Sequence, residues 1–160
     1  MRSLILTICA VALIVSVAAL AGDDAEPWFD LENCAFCKHI GAEEGLVDHM
    51  HSEYHNLKGG ILFIMTIDPQ YKEAFDRAQA AMNEVGIEMQ KTGEVPHMCR
   101  HCRMYGEFMT SGVAIECVEA EVGSICMMTS EKPEMVEKLQ AFGARTAEET
   151  AKFHASRQKK

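Results

Sequence analysis

Aromatic residues, basic residues and long apolar runs are all scarce in this sequence. Aromatic side chains make up 7% of the 160 residues, and 15 lysines and arginines face 24 aspartates and glutamates, giving a net charge of −9. A surface of this sign repels phosphate groups, which disfavours nucleic acid and anionic membranes as partners. The sequence also lacks a serine–histidine–aspartate arrangement, a phosphate-binding loop and a paired-carboxylate motif. Nothing therefore supports a hydrolase or a phosphoryl transferase.

Sulfur and imidazole are what the sequence has in quantity. It contains 11 methionines, 7 cysteines and 7 histidines, and these side chains bind soft and borderline metal ions. Apolar residues make up 48% of the chain, enough to build a core. No linker-like stretch interrupts residues 28–155, so one domain is expected.

The N-terminal segment, positions 1–21, has the three parts of a secretory signal peptide. Met1-Arg2-Ser3 is a short positive start, positions 4–20 form an apolar run, and Ala19-Leu20-Ala21 is a small-residue cleavage site. The alternative is an uncleaved anchor helix, since the run approaches the length that spans a bilayer. We expect cleavage, and hence an exported protein, periplasmic or secreted, whose single domain (residues 22–160) has no membrane contact.

Four of the six remaining cysteines form two Cys-x-x-Cys knuckles. The two-residue spacer turns both sulfurs of a knuckle toward one point, which suits tetrahedral thiolate coordination. We call Cys34–Cys37 the first knuckle and Cys99–Cys102 the second knuckle. The other two cysteines are Cys117 and Cys126.

Knuckle, β-hairpin and helix follow one another twice along the chain. Alternating or apolar segments at 47–55 and 61–67 precede a helix opened by Asp68-Pro69, and segments at 113–119 and 125–129 precede a helix opened near Pro133. The order predicts two repeats, about 30–93 and 95–155. The predicted fold is α+β: a four-stranded antiparallel sheet from two hairpins, with two long helices on one face.

The repeat gives the knuckles equivalent places in the fold. Two copies of a unit usually pack about an approximate two-fold axis, which brings equivalent points together. We therefore predict one joint metal site made of four thiolates, at Cys34, Cys37, Cys99 and Cys102.

The second hairpin places Cys117 opposite Cys126. Centring its turn between Glu121 and Val122 pairs the two cysteines directly, on the core face. Directly opposed residues are close enough for a disulfide. Two buried core thiols are the alternative, because a free cysteine behaves as a small hydrophobe.

Other donors stand near the knuckles and in the first hairpin. His39 and Met104 each follow the second cysteine of a knuckle by two residues and would open or extend the site, thioether favouring Cu(I) and imidazole suiting zinc or copper. His49, His51 and His55 alternate on one strand face and form a weaker candidate site. The alternative for these three is a solvated polar face.

The segment Cys99-Arg-His-Cys102-Arg-Met104-Tyr105 resembles the Cys-x-x-Cys-x-Met signature of the NosL family, exported copper-binding proteins built from two related β-β-α-type units. The doubled hairpin-and-helix order resembles that family too. The resemblance implies copper carriage, with Cu(I) as the ion and a protein partner for metal transfer. This chain departs from the family by lacking its lipoprotein cysteine and by having a Cys-x-x-Cys in both halves, with His39 in place of a methionine in the first.

Three functions thus compete on sequence grounds. The first, which we favour, is an exported protein that holds Cu(I) or Zn(II) between its knuckles, with copper preferred slightly to zinc. The second is a thiol–disulfide redox protein, in which a helix N-terminus would activate the first thiolate of a knuckle. The third is a secreted domain in which all six cysteines form disulfides.

Overall fold

A computed structural model describes residues 26–157. The predicted signal peptide, residues 1–21, lies outside these described residues. Within residues 26–157, no helix combines the length and the apolar character needed to cross a membrane.

In this part of the chain, four strands form one antiparallel sheet in the order β1-β2-β4-β3. The α+β class and the sheet predicted from the sequence are confirmed. The first predicted strand begins later than expected, because residues 46–49 turn as a 3-10 helix that buries Leu46 completely. The strands are β1 (Met50–Leu57), β2 (Gly60–Ile67), β3 (Ala114–Ala120) and β4 (Gly123–Thr129).

Of the four α-helices in the described range, two were predicted and two were not. The helices are α1 (Cys37–Ala42), α2 (Lys72–Thr92), α3 (Arg100–Thr110) and α4 (Pro133–Arg157). Pro69 opens a 3-10 turn that leads into α2, and Gly93 ends α2 with a left-handed backbone whose N–H donates to the Met89 carbonyl. The unexpected helix α1 starts at Cys37, the second cysteine of the first knuckle, and α3 starts directly after Cys99, the first cysteine of the second knuckle, so each knuckle lies at a helix N-terminus.

The sheet has a symmetric register. A shift along the chain that carries Gly60 onto Gly123 also carries the β1–β2 register onto the β3–β4 register and Phe63 onto Cys126. Those two residues face each other across the central β2–β4 pair. A Cβ atom at Gly60 or at Gly123 would overlap a carbonyl oxygen of the neighbouring strand, so glycine is required at both ends of this central pairing.

Two apolar clusters hold the helices to the sheet. In the larger one, Leu139 and Phe142 of α4 pack with Ile61 and Met128 of the central strands. In the smaller one, Phe75 and Ala78 of α2 pack with Leu46 and Ile67. That the chain repeats one unit, and that both long helices cover one face of the sheet, stays a prediction.

Candidate metal centre

The two knuckles meet because the segments that carry them are hydrogen-bonded to each other. The backbone N–H of Ala35, inside the first knuckle, donates to the carbonyl of His97, just before the second, at 2.9 Å. The second knuckle is anchored in turn by the N–H of His101, which donates to the Trp28 carbonyl at 3.1 Å. A third buried cluster forms where they meet, and it contains Cys34, Cys37 and Cys99.

Each knuckle has the tight turn that aims two sulfurs at one point. In the first, the N–H of Cys37 donates to Cys34 Sγ at 3.5 Å, and the N–H of Lys38 donates to the Cys34 carbonyl at 3.1 Å. In the second, the N–H of Arg103 donates to the Cys99 carbonyl at 3.0 Å. Backbone geometry, rather than long side chains, therefore positions the sulfurs.

The four knuckle sulfurs form a single group. All lie within 4.8 Å of one another. Cys37 Sγ is 3.6 Å from Cys99 Sγ and 3.4 Å from Cys102 Sγ. A zinc ion with four sulfurs at ~2.3 Å would set sulfur–sulfur separations of about 3.8 Å, so the observed spacing brackets that of a tetrahedral thiolate site. All four cysteines are free thiols.

The four knuckle cysteines differ in how deeply they are buried. Cys34 and Cys99 are fully buried and Cys37 is 7% exposed, whereas Cys102 is half-buried. Leu31, Phe36 and Met98 pack around the cluster. An ion held here would be closed off from water on most sides, with Cys102 at the outer edge.

Hydrogen bonds among the sulfurs shift the pKa values of the Cys99 and Cys37 thiols in opposite directions. The pKa of the Cys99 thiol is held far below its usual range, because the Cys102 and Cys37 thiols donate to its sulfur. The pKa of Cys37 is raised, because its hydrogen bonds with Cys102 and Cys99 favour its protonated form and it is buried. A cation placed among the sulfurs would replace these protons and stabilise thiolates.

His39 is not in the donor group of the four cysteines. Met104 packs against the large core cluster that contains Phe142, and the methionine that packs against the cysteine cluster is Met98. The reason is helical rotation: positions two apart on a helix do not face each other, and Met104 follows Cys102 by two residues within α3. His39 stands in the same relation to Cys37 within α1. Its ring Nε2 is buried and makes no hydrogen bond in the described part of the chain.

The three histidines of the first hairpin are not brought into one group. His49 Nδ1 lies 2.6 Å from the Asp68 carboxylate, and its ring stacks on Tyr71. His51 Nε2 is 3.7 Å from the other Asp68 oxygen, and His55 pairs with Glu53 at 3.0 Å. Of residues 26–157, only the four knuckle cysteines form a set of three or more donors at metal-binding separations. The Asp68 side chain makes no capping hydrogen bond at the start of the 3-10 turn before α2. It contacts His49 and His51 instead.

Cys117 and Cys126 form a disulfide. They are direct partners in the β3–β4 register, as the sequence predicted, and their Cα atoms are 4.1 Å apart. The alternative of buried core thiols is wrong, because the cysteines are bonded and Cys117 is exposed. The equivalent pair in the first hairpin is Tyr54 and Phe63, whose rings stack at 4.8 Å.

Sequence reasoning missed an aromatic shell beside the second knuckle. The His101 ring stacks on Phe142 with centroids 5.0 Å apart and lies 5.1 Å from the Phe29 ring. Burial lowers the pKa of His101 to about 4, so its imidazole stays neutral at ordinary pH. The single tryptophan, Trp28, packs in the same cluster. The Met104–Phe108 pair, four residues apart, was the sequence signal for the helix that builds this shell.

The arrangement suits ion binding better than dithiol chemistry. A Cys-x-x-Cys redox centre works through the two sulfurs of one motif, whereas Cys37 of the first knuckle has its short sulfur contacts with both cysteines of the second. No protein-family model matches the chain, and neither a curated protein nor a solved structure matches it. The basis for its function is therefore the chemistry of the site itself.

Proposed function

We propose that this is an exported zinc-binding protein in which one Zn(II) ion is held by four thiolates, two from each knuckle. The observation that carries the proposal is the cluster of four knuckle sulfurs within 4.8 Å of one another. Export rests on the signal-like segment at positions 1–21. The ion would tie together two chain segments that lie far apart in the sequence.

Zinc is favoured over copper by the number and closure of the ligands. Four sulfurs in a tetrahedral group are typical of zinc, whereas Cu(I) sites select soft donors without needing four of them. Three of the four cysteines are buried, as in closed structural sites that stabilise a fold. Such a site would supply folding free energy, so its removal would unfold the region around it.

Native mass spectrometry of the exported protein tests the proposal. We expect one zinc per chain, and none when Cys34 and Cys37, or Cys99 and Cys102, are both replaced by serine. A Cys117→Ser, Cys126→Ser variant is the matched control and should keep its zinc, since that pair lies outside the site. A half-complement of metal in either knuckle variant would mean two separate sites and would contradict the proposal.

Copper carriage is the second candidate function, in line with the NosL-like signature. Two observations favour it: Cys102 is half-buried, and Met98 packs against the cysteine cluster. A carrier must release its ion to a partner, and an accessible thiolate with a soft neighbour allows that. In a Cu(I) competition titration, Met98→Leu would then weaken binding while Met104→Leu would not. If neither variant bound Cu(I) more weakly than the parent protein, and a chelator unfolded the protein, only the zinc function would remain.

We also infer that the chain is built from two copies of one unit. The symmetric β2–β4 register about Phe63 and Cys126 supports this, as does the helix that follows each knuckle. Alternation along the strands puts Ile61 and Ile67 on the same sheet face, and these pack with α4 and α2 respectively. Both long helices would then cover that face.

A further inference from the structure

The sheet face turned away from α4 carries an apolar patch. In the described structure, none of its residues belongs to a buried cluster, and Val118, Ile125 and Met127 are 67%, 43% and 37% exposed. Open faces of antiparallel sheets are normally polar, so this one is unusual. We call it the open face; the apolar patch at its centre is made of Leu62, Ile64, Val118, Ile125 and Met127.

The strand register makes these five side chains contiguous. One row across the sheet runs Glu53, Ile64, Ile125 and Val118, and the next row of that face runs His55, Leu62, Met127 and Glu116. The apolar centre therefore lies on the two central strands, and its ionisable groups stand only on the edge strands. Contiguous exposed apolar surface of this kind marks an interaction site.

We propose that the open face is where two copies of this chain pack sheet to sheet. Strands of seven to eight residues at ~3.4 Å per residue, four of them ~4.8 Å apart, give a face of about 450 Å² in projection. Two such faces cover about 900 Å² before side-chain relief is counted, close to the roughly 1,000 Å² that a specific interface needs. Sheets that pack in this way lie ~10 Å apart with interdigitated side chains.

Charge on the rim disfavours an anionic lipid surface, and in a second copy the rim histidine offsets part of the repulsion between glutamates. Glu53 and Glu116 flank the patch, and no lysine or arginine stands on the described strand positions of this face. An anionic lipid surface would be repelled by these glutamates and by the net charge of −9. In a two-fold pair, His55, which pairs with Glu53 of its own chain, would also stand against a glutamate of the other copy, because each of the two rows has a glutamate at one edge.

Sedimentation equilibrium of the zinc-loaded, disulfide-intact protein between about 5 and about 200 µM tests the dimer. We expect the mass to rise toward twice the monomer mass. Ile125→Glu places a charge at the centre of the face, and Val118→Glu places one at its edge, where a folding defect is least expected. Each should weaken association by at least about tenfold, because an unpaired charge would be buried.

Ile87→Glu is the matched control. Ile87 lies on α2 and is 49% exposed. The substitution makes the same chemical change away from the open face and should therefore leave association unchanged. Circular dichroism and zinc content of each variant check that the fold is intact. A protein that stays monomeric over the whole range, or a dimer that Ile125→Glu leaves intact, would overturn the proposal.

Discussion

Asp48 and Arg157 are far apart in the sequence and form a two-pronged ion pair, with Nε–Oδ1 and Nη2–Oδ2 distances of 2.6 and 2.7 Å. The pair ties the end of α4 to the turn before β1. The guanidinium holds the pKa of the Asp48 carboxyl below its usual range. A carboxyl with a lowered pKa stabilises the fold above its unfolded-state pKa, and that stabilisation is lost as the pH falls through the folded-state pKa.

Replacing Arg157 by alanine should let the pKa of Asp48 rise toward its ordinary value of about 3.9. A carboxyl-carbon NMR titration of the aspartates measures this directly. Lys152→Ala is the control, because Lys152 pairs with Glu148 and Glu149 within its own helix. If the pKa of Asp48 were the same in the Arg157 variant as in the parent protein, the ion pair would not be formed in solution.

Two glycines should respond in opposite directions to alanine. At Gly123 a methyl group would overlap the Met65 carbonyl oxygen, and the backbone φ is +147°, so Gly123→Ala should destabilise the fold by about 2–4 kcal/mol. Gly86, within α2, has open space around it, and Gly86→Ala should stabilise by about 0.5–1 kcal/mol. Urea unfolding of both variants checks the pair. If both substitutions changed the free energy of unfolding by the same amount, the backbones of β2 and β4 would not approach as closely as described.

The choice of donors by linear spacing took no account of helical rotation at single residues. Met104 and His39 were chosen because they stand two positions after a knuckle cysteine, which is a good position in a turn or strand. Both segments proved to be helical, and a helix rotates such a residue to the far side. Met98 was the better candidate, because it precedes Cys99 and lies outside α3.

At the scale of elements, alternation predicted the hairpins well. The pairing of Cys117 with Cys126 followed from a period of two and a short turn, and a slip of one residue would have moved both cysteines to the other face. Helix α1, with six residues, is too short for a periodic pattern to reveal. The burial of Cys117 was overestimated, because parity fixes the face of a residue and not whether a helix covers it.

The disulfide should act on its own hairpin and not on the ion site. A closed loop with a sequence separation of 9 residues corresponds to about 2–3 kcal/mol of stabilisation in the chain-entropy account. We expect the Cys117→Ser, Cys126→Ser variant to lose that much free energy of unfolding in urea while zinc affinity stays unchanged. A fall in zinc affinity as large as that of a knuckle variant would show that the hairpin and the site are coupled.

For the whole molecule, the joint site depends on long-range contact that no local pattern contains. The two knuckles come together through the Ala35–His97 hydrogen bond and the packing of Leu31 and Phe36. Only the suspected repeat pointed to that meeting from the sequence. The sequence alone does not choose between zinc and copper for a different reason, since that choice depends on how many sulfurs converge and how closed the site is.

The proposed function requires one zinc ion bound by four thiolates, two from each knuckle. X-ray absorption at the zinc edge on the purified protein decides this point, because it counts the ligand atoms and identifies their element. We expect four sulfur atoms at about 2.3 Å and no nitrogen or oxygen bound directly to the ion. Two sulfurs completed by nitrogen or oxygen ligands would rule out the joint site.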